Sequence, residues 1–122
     1  MRVACSTSLA SSNCLQAREG EATFLIPTGA TVKVIFANGD GDKIHAWELT
    51  TSAPPYPVAP MMTVNVAASN AFLAPIPAAA SNGHQWSTES TTFAAPSPGT
   101  YYYICQVPGH AEEGMWGKLI VQ

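Results

Sequence analysis

Apolar residues recur at every second position through much of this chain, in short runs that end at proline, glycine or asparagine. Thr31–Ala37 is the clearest run. Val32, Val34 and Phe36 fall on one side and Thr31, Lys33 and Ile35 on the other, the period of a half-buried strand. Ala22–Ile26 predicts a shorter strand, stopped by the turn Pro27-Thr28-Gly29. Asn38-Gly39-Asp40-Gly41-Asp42 is a strong turn signal, after which Ile44–Thr50 resumes as a strand. Met61–Val66, Gln85–Ala94, Thr100–Cys105 and Gly117–Val121 read as further strands, with Pro96-Ser97-Pro98-Gly99 as a turn.

Three stretches break the pattern. Ala53–Pro60 holds four prolines and predicts a rigid irregular segment or an edge. Ala71–Gly83 is rich in alanine and proline and reads as a loop, because no helical period survives its prolines. Residues 1–20 show no period and predict a leader that is partly helical or draped on the domain. Seven or eight short strands without an internal helix predict an all-β protein, a sandwich of two sheets.

Composition narrows the function. The 122 residues suffice for one domain, residues 1–122, and are too few for two. Apolar residues make up 47% and charged residues only 11%, against about 25% charged in an average domain. A formal charge of −3 leaves nothing to neutralise a run of phosphates, which excludes a nucleic-acid binder. The chain is too apolar for disorder, and no apolar stretch approaches the roughly 20 residues of a membrane helix. No signal-peptide core follows Met1-Arg2. Cys5 and Cys14 lie close together in the leader. They predict either a disulfide closing a short loop, which implies an oxidising compartment, or two thiols in a loosely ordered terminus.

The chemistry lies near the C-terminus. Cys105, His110 and Met115 follow one another at intervals of five residues, between the strand that ends at Cys105 and the one that begins near Gly117. A thiolate, an imidazole and a thioether on one turning loop form a soft donor set. Thioether ligation suits copper, whereas zinc prefers thiolate, imidazole and carboxylate. Pro108-Gly109 and Gly114 let the backbone curl so that the three side chains converge. A trigonal copper site needs a second imidazole, and His45 and His84 remain. His45 opens an apolar strand that can fix its ring, while His84 lies in the loop Ser81-Asn82-Gly83-His84, so position selects His45. Tyr101 and Tyr103 should share a face with Cys105, and Tyr102 and Ile104 the opposite one. Trp116 either roofs the metal or is structural.

The loop Cys-x4-His-x4-Met after a tyrosine-rich strand, with a histidine sixty residues upstream of the cysteine, resembles the cupredoxins, the blue copper proteins. Within them it is most similar to the rusticyanins and secondarily to the sulfocyanins. The matching stretches are Gly99-Thr100-Tyr101-Tyr102-Tyr103, Cys105-Gln106, Pro108-Gly109-His110-Ala111, Gly114-Met115 and Gly117-Lys118. Ile26-Pro27-Thr28-Gly29-Ala30-Thr31-Val32 and Pro54-Pro55-Tyr56 also look family-like, so the likeness runs from about residue 21 to 122. The resemblance implies a Greek-key sandwich, one type 1 copper ion held by His45, Cys105, His110 and Met115, and electron transfer rather than enzymatic catalysis. It also implies a monomer in the periplasm or another extracytoplasmic space, serving redox proteins such as cytochrome c or a terminal oxidase. This chain departs from the family at Ala46, where a polar residue is usual, and at Glu112-Glu113, where small neutral residues are usual.

Two other classes compete. A copper oxidase or nitrite reductase needs a second copper centre built mainly from histidines, and only one histidine is left. A copper storage or delivery protein would use an exposed sulfur cluster, for which Met61-Met62 is the candidate; packing in the core or on a docking face explains that pair better.

Overall fold

The computed structural model describes residues 2–7, 16–18, 23–62 and 64–122. They form nine strands: β1 (Arg2–Thr7), β2 (Gln16–Arg18), β3 (Thr23–Ile26), β4 (Thr31–Asn38), β5 (His45–Thr50), β6 (Phe72–Ile76), β7 (Ser87–Ala94), β8 (Gly99–Ile104) and β9 (Trp116–Val121). One sheet runs β2-β1-β4-β7 and the other β3-β9-β8-β5-β6. All neighbours are antiparallel except β3 and β9. The predicted all-β sandwich is the observed fold. No helix of the described residues is long and apolar enough to cross a membrane.

The alternation in β4 sets the core. Val32, Val34 and Phe36 are buried, and with Phe93 of β7 they meet Trp47, Leu49, Tyr101, Tyr103, Leu119 and Val121 from the other sheet. Tyr103 lies flat over Gly117, its cross-strand partner, where a Cβ would fall inside the phenol ring. Tyr102 and Ile104 point to the outer face, as the two-residue period requires. There they join Tyr56, Ala111 and Trp116 in a second apolar cluster. Trp116 packs edge-on against Tyr56 and Tyr102, which makes it structural.

Three expectations need correction. The described part of the leader is strand rather than helix: residues 2–7 pair with β4 from Arg2↔Ala37 to Thr7↔Val32, and residues 16–18 pair with β1. A backbone ladder needs no side-chain period, which is why the pattern concealed it. The pairing of Cys5 with Cys14 lies outside the described residues. Phe72–Ile76, read as loop, is a strand, and Pro75 is accommodated because β6 is at the sheet edge. Met61–Val66 does not form the expected strand: a 3-10 turn spans Pro60–Met62, and among the described residues of this range Val66 alone bridges, to Thr50. Residues 53–59 have no regular structure and contain a cis peptide at Pro54-Pro55.

Strand β5 is buried along its whole length, between β8 and β6. Glu48 is therefore only 1% exposed, and its Oε1 has no hydrogen-bond partner among the described residues. Burial pushes its carboxyl above the ordinary glutamate range, although a side-chain hydrogen bond with Gln106 pulls the other way. The folded state thus holds a proton that the unfolded chain releases more easily. The stability this confers is complete below the unfolded value and is lost as pH rises through the folded one. Glu48→Gln removes that loss. Thermal unfolding of the metal-free variant should match wild type in strong acid and show a higher midpoint at neutral pH; two curves parallel at every pH would contradict this.

Candidate metal centre

The pairing of β5 with β8 assembles the centre. Its register, Glu48↔Ile104 and Leu49↔Tyr103, carries the start of β5 to the end of β8, so His45 and Cys105 arrive at the same edge of the sandwich. The β5–β6 register shifts between His45 and Trp47, an irregularity that re-aims the side chains around it. The His45 ring then packs against Phe36 of the facing sheet, centroids 6.4 Å apart.

Segment 105–115 closes on itself through its own backbone. The Cys105 N–H donates to the Met115 carbonyl (3.1 Å), and the Met115 N–H to the His110 carbonyl (3.0 Å). Inside the loop, the N–H groups of His110, Glu113 and Gly114 donate to the carbonyls of Val107, Gly109 and Ala111. Gly109 (φ 86°) and Gly114 (φ 110°) take left-handed conformations that other residues adopt at a cost. The Gly109 N–H also donates to the Val58 carbonyl (2.7 Å), which ties the loop to the proline-rich segment.

Cys105 Sγ lies 3.4 Å from His110 Nδ1 and 4.0 Å from His45 Nδ1. Donor atoms of the three residues all fall within 4.8 Å of one another. The two imidazole centroids are 5.1 Å apart. Cys105 is 1% and His45 5% exposed, whereas His110 is half-buried. Met115 lines the same surface cleft as His45 and His110, and its side chain also packs against the core. The structure therefore brings Cys105, His45 and His110 together, with Met115 beside them. His84 is exposed, with φ 65°, in the turn after a short 3-10 segment at Ala79–Asn82.

Several groups around the donors escape the sequence pattern. The Ala46 N–H donates to Cys105 Sγ (3.3 Å), so the backbone supplies a hydrogen bond that no side chain at this position is needed to make. The carboxylate Oδ2 of Asp40 is hydrogen-bonded to His45 Nε2. That bond holds the Asp40 carboxyl below the usual aspartate range against the smaller, opposing effect of burial. For His110, burial first and the adjacent His45 second hold the imidazole below its ordinary value, favouring the neutral ring that a metal requires. Asp40 reads in sequence only as a turn residue, and its one signal is a place in an Asn/Asp/Gly turn shortly before His45.

A thiolate with two imidazoles and a neighbouring thioether is the donor set of copper rather than of zinc. Copper is the ion these residues fit.

Comparisons with known proteins agree with the geometry. The chain is 42% identical over 100 residues to rusticyanin from Acidithiobacillus ferridurans, which covers 82% of this chain and 50% of that protein. It is 35% identical over 107 residues to auracyanin-B from Chloroflexus aurantiacus, covering 79% and 43%. The chain thus spans about half the length of the curated relatives it matches. The solved structure of rusticyanin from Thiobacillus ferrooxidans superposes with a TM-score of 0.77 at 30% identity, over 98% of this chain and 75% of that one. The model of the sulfocyanin (SoxE) domain matches residues 1–122 from end to end. With its sandwich, its Cys-His-Met loop and a second histidine delivered by the adjacent strand, the chain belongs to the sulfocyanin (SoxE) domain family.

Proposed function

We propose that this chain is an electron carrier, a single domain over residues 1–122 whose one type 1 copper ion is held by His45, Cys105, His110 and Met115. The observation that carries this reading is the convergence of two imidazole Nδ1 atoms on one buried thiol. Copper bound there supplies a one-electron couple between Cu(I) and Cu(II). The chain supplies rigidity. His45 is fixed by a central strand, Cys105 by the end of another, and the loop between Cys105 and Met115 by its own hydrogen bonds, so the donors keep their places while the charge changes.

Burial of Cys105 and His45 speaks against storage or delivery, which needs a sulfur that a partner can reach. An oxidase-type second centre has only the exposed His84 to draw on. We place the protein in the periplasm or another extracytoplasmic compartment, a reading that rests on its likeness to the cupredoxins. Its partners in this reading are redox proteins such as a cytochrome c or a terminal oxidase. His110 is the port: it is the more exposed of the two imidazoles, beside exposed Pro108 and Val58. Glu113 lines the cleft at His110, and Glu112 is exposed next to it.

Adding Cu(II) should produce an intense thiolate-to-copper band and an EPR signal with narrow hyperfine splitting. Cys105→Ala should abolish both; colour retained in that variant would overturn the ligand assignment. His84→Ala serves as the control and leaves the spectrum unchanged. Met115→Leu should keep copper bound and raise the reduction potential, because a weak donor to the oxidised ion is gone. An unchanged potential would remove Met115 from the set. Glu112→Gln with Glu113→Gln should slow electron transfer with a basic cytochrome c at low salt and flatten its dependence on ionic strength. A wild-type salt slope would show that the port is recognised through its apolar surface alone.

A further inference from the structure

The turn between β4 and β5 is held far more firmly than a surface connection requires. Asn38, fully buried at the end of β4, donates through Nδ2 to the carbonyls of Lys43 (2.9 Å), Ile76 (3.1 Å) and Pro77 (3.0 Å). Its Oδ1 accepts the Asp40 N–H (3.0 Å). The Asp40 carbonyl accepts the Ala79 N–H (2.7 Å), so both backbone polar groups of Asp40 are tied down. Gly39 lets the indole of Trp86 pack directly on the turn: a Cβ there would come within 2.8 Å of the ring. With the backbone of Asp40 held this way, its carboxylate meets the Nε2 of His45. The opposite ring nitrogen, Nδ1, is the one that faces Cys105.

We propose that Asp40 is a positioning residue of the metal centre that holds the orientation and tautomer of His45 and biases the centre toward its oxidised, more positively charged state. The inference rests on the reading of His45 as a ligand. Accepting the Nε2 proton places the free lone pair on Nδ1, toward Cys105, before any metal arrives. A carboxylate on the distal nitrogen also makes the donor nitrogen more basic and adds a negative charge near the ion. Both effects favour the higher oxidation state. Water reaches the pair, since the Asp40 side chain is 46% exposed, and Lys43 lines the same cleft with a positive charge. The effect therefore belongs at the lower end of the 10- to 100-fold range typical of such outer carboxylates.

Two substitutions separate the roles. Asp40→Asn keeps an oxygen that can accept from Nε2 but removes the charge. Asp40→Leu removes both. In the metal-free protein, nitrogen NMR of the His45 ring should find the proton on Nε2 in wild type and in Asp40→Asn, and a mixture of tautomers in Asp40→Leu. In the copper-loaded protein, Cu(II) affinity should fall about tenfold relative to Cu(I) in Asp40→Asn, read as a potential higher by about 59 mV. Asp40→Leu should raise the potential at least as far and also lower Cu(II) affinity outright. A wild-type potential in Asp40→Asn overturns the charge role, and an unmixed Nε2–H tautomer in Asp40→Leu overturns the positioning role. Failure of the ligand reading looks different: His45→Ala would then leave the wild-type copper spectrum intact. The tautomer is read without metal and stands apart from that outcome.

Discussion

Everything at the metal end of this protein depends on the register of one pair of strands. His45 and Cys105 are sixty residues apart and become neighbours only because β5 and β8 pair with Glu48 opposite Ile104. A slip of one residue would turn His45 to the other face, since side chains alternate with a period of two. The register is enforced from both faces of β5. Trp47 and Leu49 are buried in the main core on one side, while Glu48 and Thr50 are buried on the other. A strand buried on one face alone would pin its register less firmly; this one has no solvent face on which a misplaced side chain could be tolerated. The close approach of the Ala46 N–H to Cys105 Sγ then follows from the ladder itself.

The loop that completes the centre uses a different device. Its donors come at intervals of five residues, and its shape comes from backbone hydrogen bonds that close between Cys105, His110 and Met115. Both ends feed directly into paired strands, β8 and β9, which anchors the loop to the ladder beside it. Rigid strands deliver one imidazole and the thiol; a self-bonded loop delivers the other imidazole and the thioether. A one-electron carrier gains from such a frame, since donors that stay in place as charge changes keep the reorganisation small.

How much of this was legible in the residues depends on how local each feature is. The sandwich showed in the alternation of Val32, Val34 and Phe36, and the Cys-His-Met loop showed because its three donors lie within eleven residues. His45 could be chosen over His84 because one begins an apolar strand and the other sits among turn residues. The edge strand β6 was hidden by Pro75, which an edge tolerates and a pattern does not forgive. The leader strand was hidden for another reason: Arg2–Thr7 is held by backbone pairing to β4, and its sequence carries no alternation to announce it. Met61–Val66 had the composition of a strand, yet no neighbour offers it a full ladder, and it turns instead. Asp40 was read as a turn former, which it is. That its carboxylate meets an imidazole is a fact of tertiary structure, set by Asn38, Ala79 and Trp86 from three separate parts of the chain.

Two carboxylates near this centre show how placement decides what an acid does. Asp40 and Glu48 lie within eight residues of each other on either side of His45, and their environments push them in opposite directions. Asp40 remains open to water and bonds to an imidazole, so its charged form is favoured and can act on the ring it holds. Glu48 is buried and loses the water that would stabilise a charge, which pushes its carboxyl up and favours the neutral form. A second negative charge at Glu48 would sit buried on the same strand as His45. The two shifts have opposite consequences: the stability Glu48 contributes is lost as pH rises through its folded value, and that of Asp40 as pH falls through its own, while Asp40 alone of the two bonds to His45.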